Sequence, residues 1–360
     1  MMGRGLPELS ELATSDPEWR TRLRATFAKE LYGPIPAPPD RVEHKIEATT
    51  DGHHKITLSI HCGDRRFDVS AALWMSPKTT APVPVIVALD FLGPFGILPP
   101  GGFPADPAAR VYSAPEWQAE GRLVPGLAGQ SRPRWPLGLI AEHGFAVMVS
   151  CYGSWVPDDA ETWRDHGVSP LLNHPNTGAI SLWAWALMRM VDVAVDTPVI
   201  DRNKVILAGH SRLGKAALWA TAHDNRVAGL WANNSGCAGT ALSRHLVGET
   251  LAQLTQRFPH WLRHGAVTNP DAMTVDQHQL LALCAPARVY LSEAEEDTWA
   301  DPEGSWAALA LAAKAYGLTP PSVIPTAWNS GAFGFHLRPG GHDVLMQDWR
   351  ATLKFFAKNL

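Results

Sequence analysis

Ser211 lies in Gly209-His210-Ser211-Arg212-Leu213-Gly214-Lys215, between a β-branched run (Lys204-Val205-Ile206-Leu207-Ala208) and a helix-forming run (Ala216-Ala217-Leu218-Trp219-Ala220). A strand that ends in a sharp turn and starts a helix holds its turn serine at the strand tip, where the helix N-terminus favours developing negative charge. That is the setting of a nucleophile. In the usual pattern a small residue follows the serine by two positions; here that place holds Leu213, and glycine comes one later at Gly214. A capping serine in a tight turn has the same local composition, so the chemical case rests on partners.

A serine needs a base within hydrogen-bond reach, and the base needs an anion to hold its tautomer. Serine, then acid, then histidine is the chain order of α/β-hydrolases, whose histidine precedes the last helix. Arg338-Pro339-Gly340-Gly341-His342-Asp343 occupies that place, which makes His342 the base and leaves His336 a structural role. The acid is expected after Tyr290-Leu291-Ser292, on the loop Glu295-Glu296-Asp297-Thr298-Trp299-Ala300-Asp301-Pro302. Asp297 sits at the expected register, Glu296 is the alternative, and Asp301 before Pro302 shapes a turn. Arg212 can offer its backbone N–H, and its guanidinium, to an oxyanion. Lys215 adds a second positive charge one turn into the helix. Two cations beside a nucleophile suit a substrate with many hydroxyls or a carboxyl-derived group; the plainer alternative pairs them with the acidic loop.

The elements that must carry these residues read as one domain over residues 1–360, long enough for a sizeable core. Residues 1–40 read as a helix (17–30) and a proline-rich strap, Pro34-Ile35-Pro36-Ala37-Pro38-Pro39. Residues 43–75 alternate polar and apolar around a Gly63-Asp64 turn, which predicts an antiparallel N-terminal edge. Buried runs follow at 83–89, 145–150, 205–208, 227–232 and 287–292, with helical spacers at 178–195, 215–222 and 306–316 and a final helix at 344–358. This is the pattern of an α/β protein with a mostly parallel central sheet covered on both faces.

Composition bounds the partners. The net charge is -4, with 46% hydrophobic and 18% charged residues, so there is no basic face for nucleic acid. Cys62, Cys151, Cys237 and Cys284 are widely spaced and read mainly as buried thiols, and the histidines show no metal-ligand spacing; no metal or cofactor is implied. Residues 1–13 lack a basic region followed by an apolar run, and no window is long enough to span a membrane. Fifteen tryptophans stand against five tyrosines. Trp183, Trp185, Trp219 and Trp231 fall in apolar patterns and read as core, whereas Trp155, Trp163, Trp261 and Trp299 lie among polar or turn residues and read as candidates for a cleft that stacks on sugar rings.

The serine motif resembles that of carbohydrate esterase family 15, the glucuronoyl esterases of the α/β-hydrolase fold, a three-layer sandwich. Bacterial members are similar to this chain at Asn233-Asn234-Ser235-Gly236-Cys237-Ala238-Gly239, Gly248-Glu249-Thr250, Phe258-Pro259-His260-Trp261 and Gly340-Gly341-His342-Asp343. The resemblance runs from about residue 178 to the C-terminus, more weakly before it. It implies cleavage of the ester between (4-O-methyl)glucuronic acid on glucuronoxylan and a lignin alcohol, with Ser211 as nucleophile, His342 as base and Arg212 stabilising the oxyanion. It further implies that Lys215 and Glu249 bind sugar hydroxyls, that Trp299 packs against the uronate, and that the home is secreted or periplasmic if a signal peptide has been removed. Fungal members carry the triad glutamate where this chain has Asn234, which cannot supply the anion; the acid is then expected from the 295–301 loop, as in bacterial relatives, with Asp297 favoured. Two other readings are an acetyl or feruloyl hemicellulose esterase and a non-catalytic carbohydrate-binding protein.

Overall fold

The structure, a computed structural model, describes residues 18–112 and 120–360. The reading of residues 1–13, and the predicted helix start at Pro17, lie outside them. The described residues group into two compact units, one comprising residues 36–175 and 185–206, the other residues up to 35, 176–184 and 207–360.

The first unit holds β1 (Arg41–Ala48), β2 (His54–Cys62), β3 (Arg65–Trp74), β4 (Val83–Asp90), β5 (Ala146–Cys151) and the start of β6 (Ile200–His210). The order is β1-β2-β3-β5-β4. β1, β2 and β3 pair antiparallel, with Cys62 opposite Arg65 across the Gly63-Asp64 turn, which is the expected edge. β4 and β5 pair parallel and are almost wholly buried, which is why they read as continuous apolar runs.

The second unit holds the end of β6, then β7 (Val227–Asn233), β8 (Arg288–Ala294), β9 (Ala327–Asn329) and β10 (Phe333–Arg338), in the order β7-β8-β10-β9. β8 pairs parallel with both β7 and β10, so its C-terminal end and that of β7 open on the same side. Helices Arg212–Thr221, Leu251–Arg257, Gln277–Leu283, Pro302–Ala315 and Met346–Asn359 belong to this unit. The N-terminal helix runs Trp19–Phe27 and widens into a π-turn over Ala28–Tyr32. The hydroxyl of Tyr32 donates to the Ala238 carbonyl and accepts from Gln277, bracing the loop that follows β7.

The sequence reading has no strand at Phe333–Arg338, and the packing explains the miss. This strand is buried almost throughout, yet carries His336 and Arg338, because Asp348 from the last helix receives His336 Nε2 at 2.7 Å and Arg338 Nε at 2.9 Å. Gly334 interrupts the apolar pattern where a Cβ would collide with the Tyr290 and Phe355 rings. A fully buried carboxylate holding an arginine and a histidine is costly to lose, since both partners stay buried without it. Asp348→Ala is therefore expected to lower unfolding stability by about 3–5 kcal/mol, read as a lower urea midpoint at constant slope. An unchanged midpoint would show that the cluster relaxes into solvent.

Candidate active site

β6 ends at His210 and the next helix starts at Arg212, leaving Ser211 alone between them with φ 57° and ψ −126°. A non-glycine residue in that region is strained by about 1–3 kcal/mol and persists only where its surroundings hold it. They do so here: the Ser211 N–H donates to the Asn233 carbonyl at 2.9 Å, and its own carbonyl accepts from the Gly214 N–H at 3.0 Å. Gly209 is required because a Cβ there would strike the Leu213 carbonyl and the Gly214 nitrogen. The off-pattern Leu213 and Gly214 thus form the return wall of the turn.

Ser211 and His342 line one cleft of about 280 Å³, with Arg212, Lys215, Asn234, Glu249, Asp297 and Trp299 around them. His342 Nδ1 lies 2.5 Å from Asp297 Oδ2, and its side chain is 43% exposed, so the Nε2 edge is left for chemistry. Two backbone bonds fix this pairing: Glu295 N–H to the Arg338 carbonyl at 2.8 Å and Glu296 N–H to the Gly340 carbonyl at 3.0 Å. They lay the acidic loop along the glycine segment that carries His342. Asp297 is turned inward and buried, while Glu295 and Glu296 point to solvent. Burial pushes the Asp297 carboxyl up, but bonds from His342 and Asn234 outweigh it and hold the group below its ordinary value. Asp301 caps the helix Pro302–Ala315 in a left-handed conformation and pairs with His245, consistent with its reading as a turn residue.

Both cations have partners away from the acidic loop. Arg212 lies with its guanidinium carbon 4.3 Å from the Trp261 ring centroid and 5.0 Å from that of Phe258, rings stacked 3.7 Å apart. The Lys215 ammonium donates to the Ser235 carbonyl. Burial lowers the Lys215 pKa, and Glu249 across the cleft works against that shift. Glu249 is held in turn by its N–H, which donates to the Trp299 carbonyl at 3.0 Å. Trp299 is 48% exposed at the mouth.

Trp261 lines the cleft as expected, but Trp155 and Trp163 do not. Both belong to the first unit and both are buried; the Trp155 indole N–H is satisfied by Ser150 Oγ at 2.9 Å, and the Trp163 ring is covered by Arg164. Polar neighbours in sequence do not expose an indole whose N–H finds a local acceptor. Trp183, Trp185, Trp219 and Trp231 are core. Of the cysteines, Cys62 is only half-buried; burial pushes the Cys151 and Cys237 thiols up to about 12, too high for thiolate chemistry.

Sequence reasoning missed three contributors. His210 packs against His342 with the rings tilted by 45° and their centroids 4.4 Å apart, and its Nδ1 is tied to Asn233 Oδ1 at 2.5 Å. Phe258, three residues before Trp261, completes the platform under Arg212. Asn234, read only as a departure, donates its amide to Asp297 Oδ2 at 2.6 Å. Only the Phe-x-x-Trp spacing was visible in sequence. Among the described residues no group of three or more His, Cys, Asp or Glu is placed to hold a metal, and no helix is long and apolar enough to cross a membrane.

Comparison with known proteins adds an independent view. The family model for fungal glucuronyl esterase matches residues 158–319. A carbohydrate esterase from an unknown prokaryotic organism is 40% identical over 245 residues, which cover 63% of this chain and 56% of that protein; the match thus spans little more than half of the relative's length. Two solved structures superpose over 99% of this chain and 98% of theirs. One is a promiscuous esterase of carbohydrate esterase family 15 from a marine bacterial metagenome, 27% identical with a TM-score of 0.87. The other is a glucuronoyl esterase from Solibacter usitatus, 28% identical with a TM-score of 0.86.

Proposed function

Because the chain belongs to carbohydrate esterase family 15, the glucuronoyl esterases of the α/β-hydrolase fold, we propose that it hydrolyses the ester joining (4-O-methyl)glucuronic acid of glucuronoxylan to a lignin alcohol, through an acyl-enzyme. The observation that carries this reading is the buried Asp297 bonded to His342 on the wall of the cleft that Ser211 enters from a strained turn.

The chemistry follows from that arrangement. With Nδ1–H given to Asp297, the basic nitrogen of His342 is Nε2, which takes the Ser211 proton as Oγ attacks the C6 carbonyl. The resulting oxyanion sits at the helix start, where the first helical N–H groups point outward and the Arg212 guanidinium lies on its aromatic platform. Collapse breaks the C–O bond to the alcohol, and the imidazolium returns its proton to the departing alkoxide. Water, deprotonated by the same nitrogen, then attacks the acyl carbon and releases the uronate and free Ser211. Lys215 and Glu249 grip sugar hydroxyls, and Trp299 packs against the ring.

The test is a rate comparison between benzyl glucuronate and p-nitrophenyl acetate, apt because a solved relative is described as promiscuous. Turnover of the glucuronate ester with a clear kcat/KM advantage is expected. An advantage for the acetate would favour an acetyl or feruloyl esterase, and no turnover of either, with oligosaccharide binding retained, a binding protein. Glu249→Gln should raise KM for the glucuronate ester about 10- to 100-fold, the worth of a hydrogen bond to a charged group, and leave the acetate almost untouched.

A further inference from the structure

Asn234 stands just beyond β7 with φ 46°, a left-handed conformation that asparagine and glycine tolerate and most residues do not. It is 1% exposed. Its N–H donates to the Ser292 carbonyl at 2.9 Å, which anchors it to β8, and its Nδ2 reaches Asp297 Oδ2 at 2.6 Å. That oxygen is the one His342 Nδ1 approaches to 2.5 Å; the other, Oδ1, receives the Ala300 N–H at 3.4 Å and no closer donor among the described residues. One carboxylate oxygen therefore takes two short bonds, from a neutral amide on one side and the imidazole on the other.

We infer that Asn234 is a positioning residue of the esterase reaction, its side-chain amide fixing the Asp297 carboxylate in the orientation that receives His342 and drawing off part of its charge. This rests on the reading of Asp297 as the triad acid. Two physical effects follow. Without the amide, Asp297 keeps one strong tether, to the imidazole, in place of two, so the pair is aimed less firmly at Ser211. The remaining carboxylate also concentrates its charge on His342, stabilises the imidazolium, and so demands a higher pH before the base is free. Asparagine supplies the donor without a competing charge. The other titratable groups that face this pair among the described residues do not offer one either. Burial pushes the Glu293 carboxyl at the end of β8 well up, His210 is tied to Asn233 and Asp301 to His245.

The experiment uses Asn234→Gly, which keeps the left-handed backbone and removes only the amide, and Asn234→Asp, which keeps the shape and exchanges the donor for a charge. Each is assayed on benzyl glucuronate across pH beside the parent and Asp297→Asn, with melting curves to establish folding. For Asn234→Gly the pH-independent kcat should fall about tenfold with KM little changed, and the acid limb of kcat/KM should move to higher pH. Asn234→Asp should move the limb further in the same direction. If Asn234→Gly keeps the parent's rate and limb, or loses rate with the limb unmoved, Asn234 is merely structural and the inference is overturned. If Asp297→Asn itself keeps full activity, the reading of the triad acid fails first, which separates the two results.

Discussion

Ser211→Ala should leave a folded protein whose kcat on benzyl glucuronate is about 10⁴–10⁶-fold below the parent's. Among the described residues no other side-chain hydroxyl lines the cleft except that of Ser235. Ser235, on the same cleft wall, has its hydroxyl engaged, donating to the Ser211 carbonyl at 3.3 Å. The substitution also relieves nothing, since the φ of 57° belongs to the backbone at 211 and alanine must adopt it as serine does. Stability is therefore expected to change little while turnover collapses. The measurement is single-turnover and steady-state hydrolysis with matched melting curves; a variant retaining more than a percent of the parent rate would remove Ser211 as nucleophile. Under the proposed function, in which Lys215, Glu249 and Trp299 hold the sugar, binding should survive and the inactive variant should still retain methyl glucuronate.

How much of this was legible in the amino-acid order depends on how local the determinants are. The turn at Ser211 was readable because strand, glycine, serine and helix are consecutive, and His342 because its flanking glycines precede the last amphipathic helix. Asp297 could not be separated from Glu296 in the sequence. What separates them is the pairing of Glu295 and Glu296 with Arg338 and Gly340, a contact between segments some forty residues apart that turns one side chain inward and its neighbour out. The same limit hid Asn234, whose partner lies on the loop after β8, and the aromatic platform under Arg212. β10 was missed for a different reason: its His336 and Arg338 look solvent-facing until the fully buried Asp348 is brought against them. Trp155 and Trp163 show the converse error, in which turn-like neighbours were taken for exposure.

Asp297→Asn should lower kcat by about 10³-fold, somewhat less than the loss at Ser211, and the size of the deficit identifies its source. The replacement can keep the tautomer of His342. Oδ2 receives both short bonds, from His342 and Asn234, whereas Oδ1 receives one long bond; the new amide nitrogen therefore settles in the place of Oδ1 and leaves an oxygen facing the imidazole. What disappears is the negative charge opposite the imidazolium that forms as Ser211 gives up its proton. At an effective dielectric of about 20 a contact ion pair is worth about 4 kcal/mol, which is about three decades in rate. Had the orientation also been lost, the deficit would approach the 10⁴-fold or more typical of a wrong tautomer. The outcome thus reads two quantities from one variant: a loss near 10³-fold with an unshifted substrate KM assigns Asp297 an electrostatic role on a tautomer that Asn234 preserves, and a double variant with Asn234→Gly should then lose the additional orientation. A loss below tenfold would move the acid to Glu296, whose Glu296→Gln variant would have to collapse instead.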